Sequence, residues 1–468
     1  MTALRSLPDG FAEACAAQLD AEASPLLEAL HEGEPSRSVR LNPSKPSALS
    51  PSGEAVEWCD SGVRLDADAP SVTLDPLFHA GAYYAQDASS MIVSTIVKRI
   101  VSGDSPLVVV DACAAPGGKT TAAIDSLPDG SLMIANEIVP VRCAVLRENI
   151  MKWGYPATVV TRGDTAALAR LGETADLIIA DVPCSGEGMM RKDADAIAQW
   201  TPRLVEECAR LQREIIDNLW KLLRPGGTMI YSTCTFNRHE NEENLAYIVD
   251  ELGGVPRDVA GLPSCIAPGI DTPYPCYRFM PHRLRGEGLF VAVVTKQGYS
   301  APHTLDADTS ASSRKKSARS RKQHEAASGQ ACATAAQWLD YRLPLTLTAG
   351  ADTLTAFPEV WMPLLRRIER VTTVVQAGVT VAQIKGRDII PHHALAMSAA
   401  MSPHAFTQVE LSLDDARDYL RRNTLTLPPD TPRGYVAVTY GGLTLGFMKH
   451  LGNRSNNLYP AEYRIKFL

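Results

Sequence analysis

The sequence has ten cysteines, at positions 15, 59, 113, 143, 184, 208, 234, 265, 276 and 332, but no CxxC pair and no Cys/His cluster at zinc spacing. Thiols scattered in this way argue against a disulfide framework and against a structural metal. No apolar run approaches the roughly 20 residues a membrane helix needs. The amino-terminal stretch MTALRSLPDGFAEACAAQLDAEASPLLEAL lacks the basic n-region of a secretory signal. A cytoplasmic protein is expected, with no membrane partner and no metal. No internal repeat is evident. Positive charge is not in excess either: 46 Lys and Arg against 53 Asp and Glu leave a net charge of -7. That balance weighs against generic nucleic-acid binding, although a local basic surface can sit on an acidic chain. At 468 residues the chain exceeds one ordinary core, so two or three domains are expected.

What is present divides by pattern. Residues 1–84 mix helical periodicity (FAEACAAQLDAEASPLLEALHEG) with short extended pieces around SRSVRLNP and VEWCDSGVRL, a small α+β unit. Residues 85–298 alternate regularly: a helix at DASSMIVSTIVKRIV, then strands at LVVVDACA, SLMIANE, ATVVTRGD, ADLIIADVP and GTMIYSTCT, separated by helical stretches. Continuous apolar strands of this kind are those of a parallel sheet covered on both faces, so the spacing predicts a doubly wound, Rossmann-like α/β domain. Residues 299–332 are poor in large apolar side chains, and six of the nine residues from Arg314 to Lys322 are basic. They read as a flexible basic linker, with contact to a polyanion as the alternative. Residues 333–468 form a third region that ends in a β-rich alternation.

In an open α/β sheet, ligands sit beyond the carboxyl ends of the strands, and the first strand-to-helix turn is the usual nucleotide contact. Here that turn is DACAAPGGKTT, Asp111 to Thr121. Gly117 and Gly118 let backbone approach a ligand, and the next helix offers its free N–H groups. The GKT tripeptide suggests a phosphate-binding P-loop, but the position five before Gly118 is Cys113 and the spacing fails. Glu137, twenty residues after Gly117, matches the acid that binds ribose hydroxyls in this architecture. Asp164, at the end of the next strand, is placed either to reach an adenine edge or to cap a helix. Together these describe an adenosine pocket without a triphosphate cradle.

Two further strands end in thiols: Cys184, after Asp181 and Pro183 in ADLIIADVPCSG, and Cys234 in IYSTCTF. A buried cysteine is usually a small hydrophobe, and that reading holds for the others, including Cys143 and Cys208. Gly, Ser, Thr and Asp around this pair make a ligand-facing role more plausible. One chemistry needs a thiol beside an adenosine cofactor. Carbon 5 of cytosine is a poor nucleophile until a thiolate adds to carbon 6; the adduct can then attack the methyl of S-adenosylmethionine. A carboxyl near the ring nitrogens and a second group that removes the carbon 5 proton complete the set.

DACAAPGGKT, DVPCSGEGMMRKD and YSTCTFNRHENE resemble the signature motifs of the Sun-type RNA (cytosine-5) methyltransferases, and GEGMMRKD resembles the RsmF-like branch acting on small-subunit ribosomal RNA. The likeness spans residues 37–298, including SVRLNP and HAGAYYAQDASSM. It implies an S-adenosylmethionine-dependent enzyme with Cys234 as nucleophile, Cys184 assisting product release, and Asp181 and Lys119 at the reacting base. It also implies cofactor contacts from Cys113, Ala114, Ala115, Pro116, Gly117, Gly118, Lys119, Glu137, Asp164 and Asp181. Val182 and Asn237 depart from the family pattern, which has alanine and, before ENE, commonly proline. An RNA-binding role for residues 1–84 is implied as well. GGLTLGFMKHLGNRSNNLYP resembles the PUA-like tail of the RsmF-type enzymes, with Lys449, Arg454 and Tyr459 as candidate RNA contacts. Residues 361–468 carry thirteen Lys and Arg against eight Asp and Glu, +5 in a chain that is negative overall.

The expected partner is RNA, 16S ribosomal RNA or the 30S subunit, bound by a monomer. Alternatives are an RNA-binding protein without turnover, the same chemistry on tRNA or 23S ribosomal RNA, and a cysteine hydrolase pairing Cys234 with His239. DNA enzymes of this chemistry lack the TCT thiol.

Overall fold

The computed structural model describes residues 6–303 and 321–466. Residues 304–320, with most of the basic run, lie outside them. The expected linker ends in structure: helix Arg321–Ala336 buries Ala331 and Ala335. Ala331 and Ala335 are small enough to let it lie close against the neighbouring sheet, so residues 321–332 are corrected from linker to helix.

The central sheet carries the site. Its parallel strands are β1 (Val108–Asp111), β2 (Leu132–Asn136), β3 (Thr158–Arg162), β4 (Ala175–Asp181) and β5 (Leu223–Thr233). The antiparallel β6 (Leu289–Lys296) and β7 (Thr373–Ala377) flank them, in the order β6-β5-β4-β1-β2-β3-β7. The chain winds outward from β1 to β3 on one side and from β4 to β5 on the other, which opens a crevice above β1 and β4. Successive residues feed opposite faces. Val108 and Val110 join the core under helix Pro202–Leu222, while Val109 joins the core under helix Ile92–Ile100. Ile178 and Leu177 divide in the same way, which is why the strands read as unbroken apolar runs.

The amino-terminal region forms an antiparallel sheet ordered Glu54–Val56, Cys59–Arg64, Ser38–Leu41, Tyr83–Ala85. Its two helices, Phe11–Leu19 and Ala23–Glu32, pack elsewhere. Phe11, Leu19 and Leu26 share a cluster with Trp200, Met190 and Phe236, directly behind the segments that carry the two thiols.

The third region is not one module. One sheet spans Leu345–Ala349 to Asp388–Pro391 and another spans Thr407–Glu410 to Ser455–Asn457. Between strands of the first, the chain leaves to contribute helix Met362–Val371 and β7 to the central domain. Trp361, Leu365 and Ile368 lie in the same core as Val110 and Ile178. Burying that apolar face outweighs the cost of the long chain excursion.

Candidate active site at the carboxyl ends of the central strands

The turn after β1 is held from outside, so its inner face stays open. Tyr84 Oη and Asn149 Nδ2 donate to the carbonyl of Pro116 at 3.0 and 2.8 Å, and Arg142 donates to that of Ala115 at 2.8 Å. Gly117 has φ +110°, in the left-handed region, and a Cβ on Gly118 would lie 3.3 Å from Gln86. Glycine is required for the first reason at one position and favoured by the close approach at the other. Cys113, Ala114, Ala115, Pro116, Gly118, Lys119, Asp111 and Asp181 all face one cleft with Tyr84, Gln86 and Asp87.

Two buried carboxylates at this edge each keep an oxygen without a hydrogen-bond donor among the described residues. Asp111 accepts from Thr120 Oγ1 at 2.6 Å through Oδ2, while Oδ1 has no partner. Burial pushes its carboxyl up to about 7, against the Thr120 hydrogen bond. Glu137 accepts the N–H of Val139 at 2.8 Å through Oε1; Oε2 has no hydrogen-bond partner, with the Arg142 guanidinium 3.5 Å away. Orphaned buried oxygens are costly unless a ligand satisfies them. Ile138 beside it is 59% exposed, an apolar surface next to this buried acid. Asp164 is exposed and accepts the Ala167 N–H at 2.7 Å, capping helix Thr165–Ala169.

β4 and β5 are neighbouring parallel strands, with Asp181 opposite Ser232, and this register brings the thiols together. Cys184 Sγ and Cys234 Sγ are 3.1 Å apart, both half-buried and both free. The hydrogen bond with Cys234, then burial, then the charges of Cys234 and Glu240 hold the Cys184 thiol well above its ordinary range. Asp181 Oδ1 accepts from Ser232 Oγ at 2.8 Å and pairs with Lys119 Nζ at 2.9 Å. Burial works against the Lys119 ammonium, but Asp181, with Cys234 and Asp111, outweighs it and raises the group above its usual value.

The thiol-bearing segments are joined beneath by groups that sequence reasoning did not single out. Gly188 N–H donates to the Cys234 carbonyl at 2.8 Å. Glu187 accepts from the N–H groups of Phe236 and Asn237 at 2.8 and 2.9 Å and from Trp200 Nε1 at 3.0 Å. Glu240 accepts from Ser185 N–H at 3.0 Å and from Gln212 Nε2 at 2.7 Å. The acids of GEG and HENE were visible as letters, but partners some fifty positions apart have no signature in either stretch. His239 pairs with Glu243 at 2.9 Å and is half exposed; among the described residues no hydrogen bond links it to Cys234.

The candidate RNA contacts separate. Arg454 is exposed. Lys449 lies over the Tyr435 ring at 5.1 Å and 3.6 Å from Asp388. Tyr459 is corrected: it is 2% exposed, with its ring against His393 and Tyr419 at 5.2 and 5.4 Å. An aromatic ring in that position fills the module's core and has no face left for a base.

Residues 102–295 match the 16S rRNA methyltransferase RsmB/F family, residues 7–88 the N-terminal domain of 16S rRNA methyltransferase RsmF, and residues 406–465 the methyltransferase RsmF PUA domain. The ribosomal RNA small subunit methyltransferase F of Cronobacter sakazakii is 32% identical over 91% of this chain and 89% of its own length. That of Klebsiella pneumoniae is 31% identical, over 91% and 90%. Among solved structures, NSun6 from Pyrococcus horikoshii with SFG has a TM-score of 0.53 at 21% identity, covering 62% of this chain and 99% of that one. A methyltransferase homolog protein from Pyrococcus horikoshii reaches 0.52 at 24%, covering 61% and 94%. These two support the fold. With relatives above 30% identity matched along nearly their full length, the chain belongs to the 16S rRNA methyltransferase RsmB/F family.

Proposed function

We propose that this protein methylates carbon 5 of a cytosine in 16S ribosomal RNA, acting as a monomer on the RNA or the 30S subunit, with Cys234 as nucleophile and Cys184 as the base of release. The observation that carries the reading is the pair of free thiols 3.1 Å apart beside the Lys119–Asp181 ion pair. A single thiol would serve addition alone; two suit addition followed by elimination.

The residues around the turn fit S-adenosylmethionine. Glu137 Oε2, which has no hydrogen-bond partner among the described residues, is an acceptor for ribose hydroxyls, Asp111 Oδ1 one for the amino group, and Ile138 an apolar wall for adenine. Cys113, Ala114, Ala115, Pro116, Gly118 and Lys119 line the cleft, and the adenine edge is assigned to Asp164, which is exposed just after β3. Bound there, S-adenosylmethionine supplies an electrophilic methyl group to carbon 5.

Cys234 Sγ adds to carbon 6 as its proton leaves and a proton is taken up at ring nitrogen 3. Asp181, fixed by Lys119 and Ser232, is positioned to hold that edge of the base. At rest the Cys184 thiol stays protonated, so it does not compete for carbon 6. Methylation leaves a positive charge on the adduct, which favours loss of the Cys184 proton to solvent. The carbon 5 proton then passes to the Cys184 thiolate, its electron pair restores the carbon 5–carbon 6 double bond, the carbon 6–sulfur pair returns to Cys234, and the proton on ring nitrogen 3 leaves the base to reprotonate that thiolate, giving neutral product.

Residues 1–84 and the module at 406–465 serve as RNA-binding elements around the catalytic domain at 85–298, which residues 361–377 complete, with Lys449 and Arg454 as phosphate contacts. Mapping 5-methylcytosine in ribosomal RNA from cells with and without the gene tests the whole reading. A site lost with the gene and restored by the wild type, but not by Cys234→Ala, is the expected result; identical maps would refute it.

A further inference from the structure

The network beneath the thiols converges on one side chain. Asn237 Nδ2 lies 2.7 Å from Glu240 Oε1 and 3.1 Å from Glu187 Oε1. Its Oδ1 accepts the Glu240 N–H at 3.0 Å, and its own N–H donates to Glu187 Oε2 at 2.9 Å. The two carboxylates belong to different thiol segments. Glu187 follows Cys184 by three residues and holds the backbone just after Cys234; Glu240 follows Cys234 by six and holds the N–H of Ser185, next to Cys184. Each segment is therefore anchored by the other's acid. Asn237 is 6% exposed, Glu187 2% and Glu240 0%, so water does not screen the carboxylates from each other. An amide that donates to both keeps two like charges in one buried site, and so fixes the spacing of the chain segments above them.

Resting on the proposed function, we infer that Asn237 is a positioning residue for the release step: by bridging Glu187 and Glu240 it holds Cys184 Sγ against the adduct formed by Cys234. The step it serves is the elimination described above, in which the proton goes from carbon 5 to Cys184 and the electron pair returns to Cys234. Addition needs Cys234, just beyond the end of β5, with Asp181 and Lys119, and among the described residues Asn237 hydrogen-bonds to none of the three. Elimination needs the distance between the two segments. That asymmetry separates positioning from general support of the fold.

The test compares Asn237→Ala, Asn237→Asp and wild type in full-length protein, with labelled S-adenosylmethionine and RNA containing the target. Three quantities are read: methyl transfer in a single turnover, steady-state turnover, and protein–RNA adduct surviving a denaturing gel. A base displaced by about 1 Å loses on the order of 100-fold, so steady-state turnover should fall 10- to 100-fold for roughly this displacement while single-turnover transfer stays within about threefold. Adduct should accumulate, and Cys234→Ala in the same background should abolish it. Asn237→Asp, which replaces the shared donor by a third acceptor, should be the more severe. If both rates fall together without trapped adduct, or neither changes, the inference is overturned. Cys184→Ala in the wild-type background is the separating control. If it traps no adduct, the release assignment itself has failed; if it traps adduct and the Asn237 variants do not, only the role of Asn237 has.

Discussion

Glu137 gives the most quantitative test of the cofactor site, because its two oxygens have different tasks. Oε1 is tied to the Val139 N–H at 2.8 Å at the start of helix Pro140–Trp153, and Oε2 is buried with no hydrogen-bond partner among the described residues and the Arg142 guanidinium 3.5 Å away. Alanine would remove both functions, whereas glutamine keeps an acceptor for Val139 and places an amide donor where a ribose hydroxyl needs an acceptor. A hydrogen bond to a charged group contributes about 1.5–3 kcal/mol, and each 1.4 kcal/mol or so is tenfold in affinity. Glu137→Gln should therefore raise the Kd for S-adenosylmethionine by roughly 10- to 100-fold in isothermal titration calorimetry. S-adenosylhomocysteine, with the same ribose and no sulfonium charge, should lose the same factor. Thermal unfolding should leave Glu137→Gln close to wild type and Glu137→Ala less stable by about 1 kcal/mol, the worth of the missing Val139 link. A glutamine variant that binds both ligands as tightly as wild type would refute the assignment.

The thiols should fail in different ways on denaturing gels: Cys234→Ala forms no protein–RNA adduct and does not methylate, whereas Cys184→Ala methylates once and stays attached. An adduct in Cys234→Ala alone would reverse the two roles. Replacing Lys449 and Arg454 by alanine should reduce the dependence of RNA affinity on salt, by a slope of about 0.7–0.9 for each phosphate no longer neutralised; an unchanged slope would make them solvated surface. His393 is buried, and burial, with the charges of His392, Lys45 and Lys152, lowers its pKa from 6.5 to about 3. Between those values the unfolded chain binds a proton that the folded one does not, so stability falls as pH drops below 6.5 and continues to fall toward 3. The loss from this group is about 2 kcal/mol by roughly pH 5. Urea unfolding at neutral and acidic pH should show that difference shrinking by this amount in His393→Gln, and an equal difference in both proteins would remove His393 as the cause.

The five parallel strands were legible because burial on both faces writes itself as uninterrupted Val, Ile, Leu and Met, and the turn and thiols because small polar residues at strand ends are rare in a core. The antiparallel LFVAVVTK strand was not singled out from the sequence: it is apolar, but nothing local states its direction or its place beside β5. β7 was less visible still: TVVQA pairs with a strand more than two hundred positions earlier, and only the packed core selects that partner. Tyr459 misled because an aromatic among basic residues looks the same in a string whether it faces solvent or His393. The carboxylates under the thiols escaped for a related reason, since Glu187 and Asn237 become neighbours only once β4 and β5 pair.

β7 has a consequence for how the protein can be taken apart. The edge of a parallel sheet left bare at Thr158–Arg162 would expose a row of unpaired amides and carbonyls, a template for any passing strand. This chain seals that edge with residues 373–377 from its own distal half and plugs the adjacent face with Trp361 and Leu365. The catalytic unit is therefore not severable at residue 298. A truncated enzyme would start life with an open seam and a missing wall, and recombination that exchanged the carboxyl-terminal half for another RNA-binding module would have to bring a replacement strand with it.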